Sequence, residues 1–359
     1  MTTSAFDPYP APTRAVRIGD PGELFAALPA MLGFAPERSI VVCCLRGSSL
    51  GPVMRFDFVV PESGAGVAAE VSAALHQFVA ICVRDGAGAV VVMVVDDSGA
   101  PALVYTDAVD ELAHRLGEAD IRIVGAHFVA RIAEGQPWWS LLGDARRGRL
   151  PDPDSSSLAA AHVLEGRQIR ATRGELEALL DRGDPAECAE VAELVGAVVP
   201  VALRSAGIAA TSRSLERVLR IVFRMGDGHV PTRHDIADVG RAIDDLAVRD
   251  SLLGLAAGPL APAAETLWLA AARVLPDPHR AAAATLLGFS AYLGGEGPLA
   301  RICLTAALEA DPEYRLAVLL DASLTSGMRP GKLFGLVESA YEAAGQLGVP
   351  LPPRTLQPR

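Results

Sequence analysis

The sequence predicts two unlike halves: a three-layer α/β domain whose mixed sheet carries an antiparallel hairpin, then an all-α domain. Three observations predict it. Apolar, β-branched runs at residues 39–45, 53–60, 90–95 and 121–128 alternate with stretches of helical apolar spacing. Beyond residue 157 helix-start signals follow one another and no strand pattern competes with them. Finally, Asp277-Pro278 returns as Asp311-Pro312, 34 residues later, the period of tetratricopeptide-like helix pairs, whose units bury their apolar faces by stacking.

Taken in order, residues 1–14 read as a tail and 15–142 as the α/β domain. Asp20-Pro21-Gly22-Glu23 joins an N-cap, a proline at the first helical position and an acid three residues after the cap. A helix is therefore expected through Leu24, Leu28 and Leu32, ending at Gly33. The runs 39–45 and 53–60 flank a Gly- and Ser-rich segment, 46–52, and predict two antiparallel strands joined by a hairpin loop. Alternation in the second places Arg55 and Asp57 on one face and Met54, Phe56 and Phe58 on the other. Val67, Val71, Ala74, Leu75, Phe78 and Ile81 then predict a helix over 67–84, followed by a central strand at 90–95. A helix over 107–116 and a strand over 121–128 complete an order that implies parallel neighbours with right-handed crossovers.

Residues 143–157, polar and rich in Arg, Ser and Pro, read as a linker, and 158–345 as the all-α domain. Its helix starts are Thr172-x-x-Glu175, Asp184-Pro185-x-Glu187, Thr232-x-x-Asp235, Asp277-Pro278 and Asp311-Pro312. The repeat, about residues 263–326, predicts helices over 267–275, 280–293, 299–308 and 313–324. Ala272 aligns with Ala306, Ala283 with Ala317 and Leu286 with Leu320, small or aliphatic residues where helices approach closely. Two pairs are fewer than a free-standing solenoid needs, so they are expected to lean on the preceding helices. Residues 346–359 read as a C-terminal tail.

Composition bounds the function. Half of the 359 residues are apolar, enough for an ordinary core. A formal charge of −11 disfavours general affinity for nucleic acid or anionic membranes, which require net positive surface. The run 89–95 is far shorter than the roughly 20 residues of a membrane span, and residues 1–12 lack the pattern of a secretory signal, so a cytoplasmic setting is expected. Cys43, Cys44, Cys82, Cys188 and Cys303 are odd in number, lack Cys-x-x-Cys spacing and lie in apolar segments, which predicts buried free thiols. No metal-binding histidine spacing, Gly-x-Ser-x-Gly elbow or Walker lysine is present, so neither a metal nor a cofactor is implied.

Several segments are similar to a known family. They include Leu24-Phe25-Ala26-Ala27-Leu28-Pro29, Leu246-Ala247-Val248-Arg249-Asp250, Leu286-Leu287-Gly288-Phe289-Ser290-Ala291-Tyr292-Leu293 and Leu304-Thr305-Ala306-Ala307-Leu308. In this order they resemble an actinobacterial family catalogued as domain of unknown function 4192, over about residues 15–338. The resemblance implies no established activity. That family commonly carries a cysteine-containing Asp-Pro segment after the tryptophan pair; residues 142–148 stand there without cysteine, so no metal or redox role carries over.

Three groups of residues are candidates for binding. Gly64-Ala65-Gly66-Val67-Ala68-Ala69 fits G-x-G-x-x-A before a helix, as in loops that cradle a pyrophosphate; a plain connecting loop is the simpler account. Asp96 and Asp97, at the carboxyl end of the central strand, form with Arg46, Arg55 and Asp57 a candidate charged pocket for a small polar ligand. The same residues also fit a solvated strand end with an ordinary ion pair. Arg213, Arg217, Arg220 and Arg224 line one face of an amphipathic helix and could grip an anionic partner, although such rows are more often solvated.

The repeat and the missing catalytic motifs favour a non-enzymatic interaction or regulatory protein with a protein partner or self-association. The alternative is an α/β protein that binds a nucleotide or small acidic metabolite, possibly as an enzyme. A third reading is nucleic-acid binding through the arginine row.

Overall fold

The computed structural model describes residues 20–47, 49–61, 66–143, 145–164, 168–197 and 207–356. Two compact units divide the chain, Met1–Arg170 and Ala171–Arg359. The expected N-terminal tail, 1–14, lies outside the described residues.

In the first unit, helix α1 (Pro21–Leu32) starts where Asp20 accepts a hydrogen bond from the Gly22 amide at 2.6 Å. It ends at Gly33, whose φ of 79° suits glycine. Strands β1 (Ser39–Arg46) and β2 (Ser49–Asp57) pair antiparallel from Ser39↔Asp57 to Arg46↔Ser49. Most of the expected hairpin loop is therefore strand. Reversal occurs around Gly47, at φ 59°, and backbone pairing continues regardless of the polar side chains beside it.

Helix α2 (Ala69–Asp85), strand β3 (Ala89–Val95), helix α3 (Ala102–Gly117) and strand β4 (Arg122–Val129) follow. Two short strands, β5 (Pro137–Ser140) and β6 (Arg147–Arg149), complete a six-stranded mixed sheet of order β2-β1-β3-β4-β5-β6. Among the described strands of this sheet, only β3 and β4 are parallel neighbours. The expected β2-α2-β3 crossover exists, but β1 lies between β2 and β3 and pairs antiparallel with both. A hairpin strand taking the central place displaced the expected parallel contact.

Sheet parity sets two faces. Ile40, Val42, Cys44, Val90, Val92, Val94, Ala126 and Phe128 pack with α2 and α3 through Leu75, Phe78, Val104 and Leu112. Val41, Cys43, Met93, Val95, His127 and Val129 are buried on the other side. Trp138, opposite Val129, belongs to that second face, and a Cβ on Gly22 of α1 would stand 2.9 Å from its Nε1.

Residues 143–157, expected as a linker, carry β6, a 3-10 turn (Pro153–Ser155) and the start of helix α4 (Ser157–Leu164), which packs on α1. The chain then returns to the α/β unit, where Arg170 donates its amide to Gly33 O at 2.8 Å. The unit boundary thus follows Arg170, well past the expected linker. Arg147-Gly148-Arg149 has no apolar alternation; β6 is held by backbone pairing and by the space its glycine leaves for Trp138, neither of which hydrophobicity reveals.

Every regular element among the second unit's described residues is a helix: α5 (Arg173–Glu177), α6 (Pro185–Gly196), α7 (Ile208–Gly226), α8 (Arg233–Ile243) and α9 (Leu246–Leu252) lead to α10 (Ala261–Val274). Then come α11 (His279–Leu293), α12 (Gly297–Ala310), α13 (Arg315–Thr325) and α14 (Phe334–Gln346). Thr172, Asp184 and Thr232 cap helices as expected, and Thr232 with Asp235 forms a reciprocal capping box.

Helix α11 is buried without a break from Ala281 to Leu293, enclosed by α8, α10, α12 and α13 among others. A helix apolar on every side demands that environment. The aligned repeat residues Ala272, Ala306, Ala283, Ala317, Leu286 and Leu320 are all buried. The two Asp-Pro steps nevertheless differ: α11 begins at His279, directly after Pro278, whereas α13 begins three residues after Pro312, at Arg315. Residues 346–356 are not a free tail. Val349 is buried, Tyr341 donates to Pro352 O at 2.5 Å, and the Thr355 amide reaches Ala257 O at 2.8 Å.

Candidate functional site

The strand-end candidates separate. Arg46 lies at the opposite end of the sheet from Asp96, because β1 runs antiparallel to β3; it pairs with buried Asp85 at 3.2 Å. Asp96 is only 2 % exposed, and its carboxylate accepts from the Ser98 amide and hydroxyl at 2.9 Å and from Tyr105 at 3.0 Å. Burial, then the neighbouring Asp96 charge, pushes the Tyr105 phenol up to about 12. Asp97 is exposed between Arg38 and Arg131, 3.6 Å from each. Arg55 pairs with Asp57, donates to Ser39 Oγ at 2.8 Å and stands over the Phe34 ring. At the Asp96 end each of these groups has a partner within the fold. Such a set holds the strand ends together and leaves little for a ligand to replace.

The glycine loop also carries its own anion. Gly66, at φ 79°, donates its amide to Asp107 Oδ2 at 2.8 Å, and Ser72 near the start of α2 donates to Glu111 at 2.5 Å. The Asp107 carboxylate of α3 thus occupies the Gly66 amide, one of the donors the nucleotide reading needs. Gly64 lies outside the described residues.

On α7, Arg213, Arg217, Arg220 and Arg224 are all exposed along one side. Arg217 pairs with Asp238 at 3.5 Å and Arg224 with Asp235 at 2.6 Å, so half of the row ties α7 to α8. Burial alone would push Asp235 up, but its Thr232 hydrogen bonds and Arg224 hold it below the usual carboxylate range. Arg213 and Arg220 form no ion pair among the described residues.

A cavity of about 470 Å³ opens in the helical unit, a size suited to a small ligand or a few side chains. Arg173, Arg182, Arg280 and Arg301 line it, with Glu177, Asp181 and Glu309. Arg301 pairs with Asp321 at 2.7 Å and Arg173 with Glu177 at 2.8 Å. The other two are fixed differently. Arg182 donates to Leu275 O at 2.7 Å, and Arg280 to Ala272 O at 3.2 Å and Leu180 O at 3.4 Å. Both grip carbonyls at the C-terminal end of α10, where cations are favoured, and no carboxylate bonds either one among the described residues. A guanidinium has five N–H donors, so both retain capacity for an anion. No sequence pattern joins these arginines; only helix packing does.

Sequence reasoning also missed a polar contact in the α/β unit. Cross-strand Ser140 Oγ stands 3.2 Å from His127 Nδ1, on a buried ring set edge-on to Trp138. Burial, then nearby Arg146, holds the His127 pKa below its ordinary value. Trp139 lies on the opposite face against Phe128, so both tryptophans serve the sheet. Among the described residues no cluster of His, Cys, Asp and Glu could hold a metal, and no helix is long and apolar enough to cross a membrane.

A family model described as Domain of unknown function (DUF4192) matches residues 21–331. The chain belongs to that family. No curated protein and no solved structure matched it. The match to DUF4192 begins at α1, runs through both units and includes every residue named at the cavity.

Proposed function

We propose that this chain is a cytoplasmic, non-enzymatic interaction or regulatory protein whose helical unit receives an acidic segment of a protein partner in the arginine-lined cavity. One observation carries the reading: Arg182 and Arg280 are held by backbone carbonyls inside a cavity, with donors left over and no carboxylate on either among the described residues. The 34-residue spacing and the buried equivalents Ala283 and Ala317 support tetratricopeptide-like pairing as the scaffold. The nucleotide alternative has weaker support, since Asp107 already occupies the Gly66 amide. Nucleic-acid binding has less still, given the charge of −11 and the pairing of Arg217 and Arg224 within the fold.

Fluorescence anisotropy with a labelled glutamate-rich peptide tests the proposal. Binding should weaken as salt rises, and Arg182→Gln with Arg280→Gln should reduce affinity by about tenfold or more, the scale of one or two charge-assisted bonds. Absence of binding to the wild-type protein at low salt would end this reading.

A further inference from the structure

Cys44 on β1 and Cys82 on α2 come from segments 38 residues apart, yet their sulfurs stand 3.3 Å from each other. Both side chains are fully buried and both are free thiols. Neighbouring Cys43 points to the other face of the sheet, where burial pushes its thiol up to about 12, so it does not compete. The sulfurs share one hydrogen bond, and either can be its donor. With Cys44 as the donor, the bond holds the Cys82 thiol below its ordinary value and pushes Cys44 above its own. The thiolate is the reactive form, so in that arrangement Cys82 is the nucleophile and Cys44 the resolving group.

Over Cys44 the cover is a glycine. Gly51 of β2, an edge strand, is only half-buried, and a Cβ there would lie 3.3 Å from Cys44 Cβ and 2.8 Å from Asp85 Oδ2. A reagent close to water in size can pass such a cover during small openings, while a bulky disulfide cannot.

We propose that Cys44 and Cys82 form a redox site that takes hydrogen peroxide and closes to a reversible disulfide joining β1 to α2. Cys82 gives up its proton, its thiolate attacks one peroxide oxygen, the O–O bond breaks, and the departing hydroxide takes that proton as water, leaving Cys82 sulfenic acid. Cys44 sulfur then attacks Cys82 sulfur, the S–O bond breaks, and the Cys44 proton leaves with the hydroxyl as water. Two thiols lose two electrons and two hydrogens, and one peroxide becomes two waters. Closure fastens helix α2 to the sheet and is undone by a dithiol.

The test treats the folded, full-length protein with hydrogen peroxide, blocks remaining thiols, and maps peptides without reduction. Fragmentation must separate Cys43 from Cys44, which are adjacent on β1. A Cys44–Cys82 link, reversed by dithiothreitol and accompanied by a higher melting temperature, is expected. Cys44→Ser should stop at a sulfenic acid on Cys82 that dimedone captures, and Cys82→Ser should leave Cys44 unlabelled. A link that forms only in urea, a Cys43–Cys82 link, or both cysteines remaining thiols in the folded protein would overturn the proposal, as would dimedone labelling of Cys44 in place of Cys82.

Discussion

His127 and Gly148 show how single residues set the limits of the sheet. A buried neutral imidazole beside Ser140 is stable only while it stays unprotonated, and its folded pKa lies below the ordinary 6.5. Because the unfolded chain takes the proton at higher pH, the contribution is complete above pH 6.5 and fades as pH falls through the lower folded value. Melting curves followed by circular dichroism should therefore fall across that window in wild type, and His127→Gln should flatten the fall. Gly148 acts through shape. A Cβ there would meet Trp138 at 2.7 Å from Nε1 and 2.9 Å from Cε2, both on a rigid indole. Gly148→Ala is expected to cost about 1–3 kcal/mol in denaturant unfolding, with a changed tryptophan emission spectrum.

Among the elements, α8 and α11 owe their stability to different sources. At the start of α8, Thr232 Oγ1 accepts from the Asp235 amide at 3.2 Å while Asp235 accepts from the Thr232 amide at 2.9 Å. Arg224 of α7 closes on the same carboxylate, so a cap that serves one helix also anchors its neighbour. Thr232→Ala should cost about 1 kcal/mol by urea titration. Helix α11 depends on enclosure instead. Leu286 lies inside the unbroken buried run, and Leu286→Ala should cost about 2–5 kcal/mol, whereas exposed Leu319→Ala on α13 should stay within about 0.5 kcal/mol. Equal losses at the two positions would show that α11 is not the centre of the helical core.

At the scale of the whole molecule, each unit owns its core. One cluster runs from Ile40 to Phe128, the other from Leu180 to Val349, and they share no residue. A fragment beginning at Ala171 should therefore unfold cooperatively with a strong helical signal, measured by circular dichroism during heating. A fragment cut at the polar segment 143–157 should do worse as an α/β unit, because it removes β6, α4 and the Arg170 return that pairs with Gly33.

By itself the sequence determined what local chemistry decides: the capped helix from Pro21 to Gly33, the apolar strands expected at 39–45 and 90–95, the helix starts at Thr172, Asp184 and Thr232, and the buried repeat positions. Family membership was legible as well, through ordered segments such as 286–293. Only tertiary structure decided that β1 sits between β2 and β3, that Arg147-Gly148-Arg149 is a strand, and that Arg46 is remote from Asp96. It alone brought Arg182 to Arg280 and Cys44 to Cys82. The physical reason is that period and propensity act over a few residues, while pairing order, edge strands and cavities arise from contacts between segments whose sequences carry no record of one another.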